Sequence, residues 1–363
     1  MMAPGKKERS VGFIVYKRGK EPSVLVRSKV PKGTFQRPPF LELEDAAMPD
    51  QMAREGVEEL GLGAFGDVPC PLGMKLVYFA REVRHDEHLF MLEAPQDLKA
   101  PKGYRWVTPR KALDSFLLSG HKRGVAMVYP ELLPDGLRSL DHVPVKHPGQ
   151  VVVICDFDGT VSEPEASLAI LRKFAPGRWE RYEKPWLDKE ISTHDCLGYQ
   201  FTLLDASVEE MARFAADNIA LREGFEDLVE VCKRFGYGLV ISSCGVDFYI
   251  KAILERHDLG DVSFVAIRTH WVEGLGHVAE EGLFNGQCDW CGNCKRDLVS
   301  LYRSRGAMVA YVGDGATDEC AAERADIVFA RAGLMDFCKE KKIKDCRPFE
   351  TFKDVLRWLD ERD

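Results

Sequence analysis

The stretch that most constrains the fold is Val151–Thr160, which reads VVVICDFDGT. Its apolar, mostly β-branched start, Val151–Cys155, is typical of a strand rather than a helix at this length. Because the run does not alternate with polar residues, it predicts a strand covered on both faces, as in a parallel sheet flanked by helices. Asp156 and Asp158 follow at once. In such folds the chemistry lies just past the carboxyl ends of the strands, so we expect the functional site here.

The two aspartates suggest a metal site with phosphoryl chemistry. A side chain and a backbone carbonyl from neighbouring residues can bind the same cation, and oxygen ligands together with substrate phosphate suit Mg²⁺. A carboxylate can also attack phosphorus and form an aspartyl-phosphate. We expect Asp156 to be the nucleophile and Asp158 the general acid and base.

Two further apolar runs of strand length also end in polar residues. Gly238–Ser243 leads into Cys244 and Gly245, and Met308–Val312 leads into a segment that contains Asp314 and Asp318. Helical patterns lie between the runs, and Lys295 begins one of them. Strands that alternate with helices predict a parallel, doubly wound sheet, so the strand ends should meet at one edge.

Four motifs in this order, DFDGT, ISSCG, an isolated Lys295 and GDGATD, resemble those of the haloacid dehalogenase superfamily of phosphatases. The resemblance implies a Rossmann-like α/β domain. It also implies a Mg²⁺ ion and a set of site residues with shared roles. The catalytic residues would be Asp156 and Asp158, the phosphate would be bound by Ser243, Gly245 and Lys295, and the metal would be held by Asp156, Asp158, Asp314 and Asp318. Ser242 is the alternative to Ser243 as the phosphate-binding serine. We prefer Ser243 because it directly precedes a residue–glycine pair, Cys244 and Gly245.

The position of an insertion narrows the resemblance. A largely helical segment follows DFDGT, at about 163–235, where the phosphoserine-phosphatase-like and methionine-salvage-phosphatase-like branch carries a helical cap of the C1 type. The resemblance to this branch covers roughly 150–350 and includes CGNCK and GDGATDECAAERADIVFAR. It implies a small phosphorylated metabolite as substrate. The cap selects the substrate in such enzymes, and the sequence does not identify the substrate.

The N-terminal part carries a separate acidic motif. A predicted hairpin, Val11–Tyr16 with Ser23–Val26 around a Gly19–Pro22 turn, is followed by a predicted helix over Met48–Leu60. On that helix Glu55, Glu58 and Glu59 share one face. The segment REGVEELGL resembles the second half of the Nudix box, and the resemblance covers roughly 8–125. It implies an α/β/α sandwich that hydrolyses a nucleoside diphosphate derivative with Mg²⁺ held by the three glutamates.

The Nudix pattern is incomplete, so three readings of this part stay open. Phe40 and Ala46 stand where the box requires glycine and glutamate. Gly33 could replace the glycine only across an insertion, and Glu42, Glu44 or Asp45 could replace the glutamate. The part could be an active pyrophosphatase, a non-catalytic nucleotide-binding or assembly module, or simply a fold with a solvated acidic helix face.

The length and composition predict the number of domains, the kinds of partner and the cellular compartment. With 363 residues we expect two domains, 1–140 and 150–363, joined by a linker at 141–149. The net charge of −8, without a basic block, argues against a nucleic-acid or membrane partner. The N-terminus lacks the apolar core of a signal peptide. The 11 cysteines, several inside apolar runs, indicate a reducing compartment, so we expect a cytoplasmic protein. The oligomeric state is left open.

Several other residues have two readings each. Cys288, Cys291 and Cys294 either bind zinc, completed by His277, Asp289 or Cys320, or form a reduced loop that positions Lys295. Glu163 and Glu165 either face the substrate or lie in a solvated hinge. Arg222 is expected to pair at the surface with Glu223 or Asp227 rather than to contact substrate. Five aromatic residues are expected in the cap core: Trp179, Tyr182, Trp186, Tyr199 and Phe201.

Overall fold

The strand expected at Val151–Cys155 is present in the computed structural model. The structure describes residues 6–18, 21–32, 34–43, 47–60, 69–129, 145–280 and 290–362. Within those ranges every helix is too short or too polar to span a lipid bilayer. The predicted turn residue Gly19 and the candidates Gly33, Glu44, Asp45, Ala46, Cys288 and Asp289 lie outside them.

The N-terminal part of the chain is a mixed α/β structure. Its strands are β1 (Lys6–Lys17), β2 (Ser23–Arg27), β3 (Phe40–Leu43), β4 (Cys70–Ala80), β5 (Val83–Glu93) and β6 (Tyr104–Val107), and its helices are α1 (Pro49–Glu59), α2 (Pro109–Ser115) and α3 (Ser119–Val128). The predicted hairpin is confirmed, because Tyr16 of β1 pairs with Val24 of β2 in antiparallel register. Thr108 caps α2 by accepting a hydrogen bond from the backbone N–H of Lys111.

The C-terminal part alternates strands with helices. Its strands are β7 (Val151–Cys155), β8 (Ser162–Glu163), β9 (Ala220–Leu221), β10 (Gly238–Val246), β11 (Ser263–Val272), β12 (Gly276–Glu280), β13 (Met308–Gly313), β14 (Ile327–Ala330) and β15 (Cys346–Pro348). Its helices are α4 (Ala166–Phe174), α5 (Glu183–Leu187), α6 (Thr193–Phe201), α7 (Val208–Asn218), α8 (Phe225–Phe235), α9 (Asp247–Arg256), α10 (Lys295–Ser304), α11 (Glu319–Ala322), α12 (Ala332–Lys341) and α13 (Phe352–Asp360).

The chain divides into two units whose boundary is not a single point in the sequence. The first unit contains Met1–Ser139 together with His270–Glu280, and the second contains Leu140–Thr269 and Glu281–Asp363. The sequence placed 270–280 in the C-terminal domain. The structure instead pairs β12 with β4 in antiparallel register, Val278 opposite Ala80, which makes this segment a strand of the N-terminal sheet.

The N-terminal unit has helices on both faces of its sheet. Alternate residues of β1 point to opposite faces, since side chains in a strand alternate with a period of two. Ile14 packs in a buried cluster with residues of α2 and α3, whereas Phe13 packs in another with residues of α1. Gly56 in α1 has a packing reason: a Cβ there would lie 2.0 Å from Cδ1 of Leu41.

The C-terminal unit contains the predicted parallel sheet, in the order β15-β14-β13-β7-β10-β11. All five pairings in it are parallel. Strand β7 lies between β13 and β10, and all of its residues are buried. Strand β7, which precedes Asp156, therefore lies between β13, which precedes Asp314, and β10, which contains Ser243. Their carboxyl ends meet at one edge of the sheet.

The helical insertion enters and leaves through one short ladder. β8 pairs with β9 in antiparallel register, Ser162 opposite Leu221, and α4 to α7 lie between them. From the sequence we expected the cap to continue to about residue 235. Helix α8 instead packs on the core, because Phe225 makes an edge-on ring contact with Phe352 of α13, at 5.0 Å between centroids. The cap is the segment between β8 and β9.

Candidate active site

Three aspartates meet where β7 and β13 end. Asp156, Asp314 and Asp318 each place a carboxylate oxygen within 4.8 Å of the others, and they are the one group of metal-ligating side chains with this spacing among the residues described. The end of β7 supplies Asp156, whose backbone N–H donates to the carbonyl of Val312 in β13 at 2.9 Å. Because this hydrogen bond continues the strand pairing, the first aspartate is held by the central ladder of the sheet.

The charges at this edge are only partly balanced. Burial raises the pKa of the Asp156 carboxyl well above its usual range, and the nearby carboxylate of Asp318 raises it further. Burial also raises the pKa of Asp314, again with a contribution from Asp318. Carboxylates that repel one another in a buried place are stabilised by a cation. The donor set therefore fits a hard divalent metal such as Mg²⁺.

Lys295 is the cation that the chain itself supplies. It is 2% exposed, and its Nζ lies 2.7 Å from Oδ1 of Asp156 and 2.7 Å from Oδ1 of Asp318. It also donates to Oγ1 of Thr317 at 3.0 Å. Burial alone would lower the pKa of this ammonium, but Asp156 and Asp318 raise it well above its usual value. Lys295 is therefore charged and fixed against the expected nucleophile.

Asp318 is fully engaged by the protein. Its Oδ1 accepts hydrogen bonds from Lys295 and from the hydroxyl of Tyr311, the latter at 2.6 Å. Its Oδ2 accepts from the backbone N–H groups of Asp314 and Gly315, each at 3.0 Å. A carboxylate with these partners is suited to orienting the lysine and the loop after β13 more than to binding a metal directly.

Asp314 faces the loop after β7. Its Oδ1 accepts a hydrogen bond of 3.0 Å from Oγ1 of Thr160. Gly159, between the two strand ends, has φ of +77°, and a Cβ on it would lie 2.5 Å from Oδ2 of Asp314. The glycine and threonine of DFDGT thus serve the same purpose, since they let this loop approach the carboxylate of Asp314 closely.

Asp158 is held by three donors. Its Oδ1 accepts from the backbone N–H groups of Ala166 and Ser167, at 2.7 and 3.1 Å, at the start of α4. Its Oδ2 accepts from the hydroxyl of Tyr249 at 2.5 Å. Burial raises the pKa of this carboxyl, while the bond from Tyr249 lowers it. A raised pKa favours a group that must carry a proton during the reaction.

Ser243 and Gly245 complete the edge from β10. The serine is 1% exposed, and its Oγ accepts from the backbone N–H of Gly245 at 2.9 Å. Gly245 has a steric requirement, because a Cβ on it would lie 1.6 Å from the Tyr249 hydroxyl. Of the two candidate serines, Ser243 lines the cavity described next, whereas Ser242 is fully buried and its Oγ lies 3.5 Å from Nδ2 of Asn293.

A cavity of about 210 Å³ opens over these residues, between the sheet edge and the cap. The sheet edge contributes Asp156, Asp158, Ser243, Gly245 and Asp314 to its lining, and the cap side contributes Glu165, Ser167, Trp186, Thr193 and Leu197. This volume is below the range typical of drug-sized ligands, so the space suits a small metabolite.

The structure distinguishes between the paired readings of the residues after DFDGT. Glu165 lines the cavity, and burial raises the pKa of its carboxyl, helped by Asp158. Glu163 points away, with 62% of its side chain exposed, and pairs with Arg222 at 3.0 Å. Among the cap aromatics, Trp186 lines the cavity, contrary to its predicted place in the cap core, while Trp179 is buried as expected.

The expectation for Arg222 is wrong. The residue is 8% exposed, and its guanidinium donates to the carbonyls of Thr160 and Gly159 at 2.8 and 2.9 Å. The sequence missed this role because the two carbonyls are far away along the chain. Arg222 follows β9 directly, so it fastens the DFDGT loop to the point where the chain returns from the cap.

The three glutamates of the N-terminal motif are in a different environment. Glu55, Glu58 and Glu59 are exposed on α1, and among the residues described they do not form a group with metal-ligand spacing. Phe40, at the position where the box requires glycine, lies in β3 opposite Gly12, and the guanidinium carbon of Arg37 lies 3.7 Å from its ring centroid.

The cysteine motif is described only from its second member. Cys291 is half-buried, and Cys294 lies immediately before α10, where burial raises the pKa of its thiol to about 11. Cys244 is buried at the lining of the cavity, and burial raises the pKa of its thiol to about 11, which disfavours a nucleophilic thiolate. Because Cys288 and Asp289 lie outside the described ranges, zinc binding stays a prediction.

Residues 151–363 match the family described as Putative Phosphatase. A 2-hydroxy-3-keto-5-methylthiopentenyl-1-phosphate phosphatase of Brevibacillus brevis is 33% identical over 222 residues, which are 58% of this chain and 96% of that protein. The phosphatase of the same name from Geobacillus kaustophilus is 36% identical over 217 residues, 57% of this chain and 94% of that protein. The phospho-aspartyl intermediate analogue of phosphoserine phosphatase, a solved structure, is 21% identical, covers 58% of this chain and 99% of its own, and has a TM-score of 0.46.

The chain belongs to the Putative Phosphatase family, because the match covers more than half of its length. Its C-terminal unit is a phosphoric monoester hydrolase of the haloacid dehalogenase type, as its four motifs predicted. The family match begins at residue 151 and does not include the part with the Nudix-like motif.

Proposed function

We propose that the C-terminal unit hydrolyses a small phosphomonoester through an aspartyl-phosphate on Asp156, with Mg²⁺. The observation that carries this proposal is the position of the Asp156 carboxylate, which lines the cavity and lies 2.7 Å from the ammonium of Lys295. A buried carboxylate beside a fixed cation is oriented for attack on phosphorus, and phosphoryl transfer depends mainly on such positioning and on charge neutralisation.

Other residues of the site transfer protons, bind the phosphate group and hold the metal. The free oxygen of Asp156 attacks phosphorus as the bond to the leaving oxygen breaks, and Asp158 donates the proton that the leaving alkoxide needs. Asp158 then removes a proton from water, which attacks the aspartyl-phosphate and releases phosphate. Ser243, the backbone N–H groups near Gly245 and Lys295 bind the phosphate oxygens. The carboxylates of Asp156 and Asp314 and the carbonyl of Asp158, supported by Asp318, would hold Mg²⁺, which would offset the repulsion between phosphate and carboxylate.

The cap side of the cavity suggests the class of substrate. Glu165, Ser167 and Thr193 offer polar groups, and Trp186 and Leu197 offer apolar surface. A short organic phosphate with a hydroxyl, keto or amino group next to an apolar part fits this combination. The substrate named for the bacterial relatives, 2-hydroxy-3-keto-5-methylthiopentenyl-1-phosphate, is one such compound, and we propose it as the first compound to assay.

The test of this function is Asp156→Asn in the full-length chain. The amide keeps the shape of the carboxylate and cannot serve as the nucleophile, so phosphate release should fall by three orders of magnitude or more. Asp326→Asn is the matched control, because the Asp326 carboxylate accepts from the backbone N–H of Val309 at the opposite end of β13. Turnover by Asp156→Asn comparable with that of the control would refute the proposal.

For the N-terminal unit we propose a Nudix-like fold that serves as a nucleotide-binding or assembly module. The exposed, separated carboxylates of Glu55, Glu58 and Glu59 support this reading over a pyrophosphatase. Hydrolysis of nucleoside diphosphate derivatives by the wild type, slowed by Glu58→Gln, would establish the pyrophosphatase instead. Ligand binding without turnover, unaffected by that variant, is the result we expect.

A further inference from the structure

Strand β10 separates from its neighbour β11 where it reaches the active site. The two strands are in parallel register up to Ser242 opposite Val265, and the register has shifted at the next pair, Val246 opposite Ile267. Such irregularities interrupt the ladder of backbone hydrogen bonds and redirect side chains. Here the interruption coincides with Ser243, which lines the cavity. Buried carbonyls at the interruption need other donors.

A side-chain amide supplies those donors. Asn293 is fully buried, and its Nδ2 donates to the carbonyl of Ser243 at 2.8 Å and to the carbonyl of Val265 at 3.1 Å. An amide nitrogen has two hydrogens, so one side chain satisfies one carbonyl on each strand. The amide of Asn293 therefore bridges β10 and β11 at the place where their ladder is open.

The same segment leads directly to Lys295. Asn293 and Cys294 immediately precede α10, whose first residue is the lysine. Asn293 makes a second contact with β10, because the thiol of Cys244 lies 3.9 Å from the carbonyl oxygen of Asn293. The segment is also fastened on its other side: the backbone N–H of His194 in α6 donates to the carbonyl of Trp290 at 2.9 Å. One short stretch of chain thus connects the serine strand, the lysine helix and the cap.

We propose that Asn293 is a positioning residue, which sets the distance between Ser243 and Lys295 so that both can bind the same phosphate group. The inference rests on the proposed function, since it assigns Ser243 and Lys295 to the phosphate. Asn293 does not line the cavity, and it acts through the two residues it holds. Without its amide, the carbonyls of Ser243 and Val265 lose the hydrogen bonds that Asn293 donates, and the end of β10 can shift relative to α10.

The experiment compares Asn293→Ala with Gln150→Ala in the full-length chain with Mg²⁺. Gln150 is the matched control: it is 4% exposed, its amide also bridges two backbone segments, and it precedes β7 at the far end of the sheet. The probe is inorganic phosphate, measured as a competitive inhibitor and by its effect on the melting temperature. Displacement of binding groups by about 1 Å costs on the order of a hundredfold in rate. For Asn293→Ala we expect a loss of kcat/KM of that size and at least a tenfold weaker inhibition by phosphate.

A purely structural role would give a different pattern. Both variants would then melt at lower temperature, while the phosphate inhibition constant and kcat of each stayed within about twofold of the wild type, and this result would overturn the inference. Asn293→Leu keeps the approximate side-chain volume without the donor and gives the same comparison if the alanine variant does not fold. Asp156→Asn, measured in parallel, separates the two claims: an inactive Asp156→Asn with a normal Asn293→Ala leaves the proposed function intact and removes the role of Asn293.

Discussion

The ammonium of Lys295 lies 2.7 Å from Oδ1 of Asp156, although the two residues are far apart in the sequence. Both are almost completely buried, at 2% and 6% exposure. A buried ion pair with further hydrogen bonds contributes to orientation more reliably than to stability. Here it fixes which oxygen of the aspartate stays available for phosphorus.

Replacing Lys295 by methionine should inactivate and destabilise the protein together. Asp156 and Asp318 would be left without their shared cation, and removing one partner of a buried pair costs roughly 3–5 kcal/mol of unfolding free energy. Urea unfolding and kcat/KM are the measurements. Lys233→Met, at a surface lysine that is 53% exposed and pairs with Asp261, is the control and should change stability by less than about 1 kcal/mol. Full activity in Lys295→Met would show that the pair has no part in the reaction.

Tyr249→Phe should lower kcat in a manner that depends on the leaving group. The hydroxyl of Tyr249 donates to Oδ2 of Asp158 at 2.5 Å, and Asp158 is the proposed proton donor. With an alkyl phosphate we expect kcat to fall about tenfold, which is part of the rate enhancement that general acid–base catalysis provides. With p-nitrophenyl phosphate the loss should be smaller, because its leaving group needs little protonation. Tyr129→Phe, which removes a buried hydroxyl bonded to the carbonyl of Lys17 in the other unit, is the control. Equal losses with both substrates would contradict the assignment.

The two neighbouring serines should differ in effect. Ser243→Ala removes a proposed ligand of a charged phosphate, so kcat/KM should fall by about tenfold to a hundredfold. Ser242→Ala, one residue earlier and outside the cavity lining, should stay within a few-fold of the wild type. The measurement is kcat/KM of each variant with one phosphomonoester. A larger loss in Ser242→Ala than in Ser243→Ala would reassign the phosphate site to Ser242.

Acid should weaken the N-terminal unit through Glu280. This carboxylate is 1% exposed and accepts from Ser119, Gly120 and His270. Burial alone would raise its pKa, yet these hydrogen bonds lower it from 4.5 to about 2. A carboxyl whose pKa is lower in the folded state stabilises the fold above its unfolded pKa, and this contribution is lost as the pH falls from about 4.5 towards 2.

Glu280→Gln should therefore lose roughly 3 kcal/mol of unfolding free energy at pH 7, and the difference from the wild type should shrink below pH 4.5. Urea unfolding at a series of pH values, followed by circular dichroism, measures this. Glu93→Gln, at a glutamate with 46% of its side chain exposed, is the control. A difference that stays constant from pH 7 to pH 3 would show that folding does not lower the pKa of Glu280.

The sequence predicted the local features well, because they depend on neighbours in the chain. The apolar run at Val151–Cys155 and the acidic residues after it are adjacent, so the strand and the position of its chemistry followed directly. Helix α10 begins at Lys295, as the helical pattern that starts there predicted.

The features it missed depend on residues that are distant in sequence. The pairing of Val278 with Ala80 moves a strand into the other unit, and no local pattern indicates that pairing. The same holds for Arg222, which binds carbonyls of the DFDGT loop, and for the Asn293 amide between two strands. Side-chain patterns predict elements, but hydrogen bonds from a side chain to a distant carbonyl leave no trace in residue spacing.

The most direct measurement is to locate the phosphorylated residue. The full-length protein is mixed with a phosphomonoester and Mg²⁺, quenched, treated with borohydride to reduce an acyl phosphate to an alcohol, and digested for mass spectrometry. We predict that Asp156 alone is converted to homoserine, that the conversion occurs in Asp326→Asn, and that it is absent in Asp156→Asn. Reduction at another residue, or turnover without any acyl phosphate, would contradict Asp156 as the nucleophile.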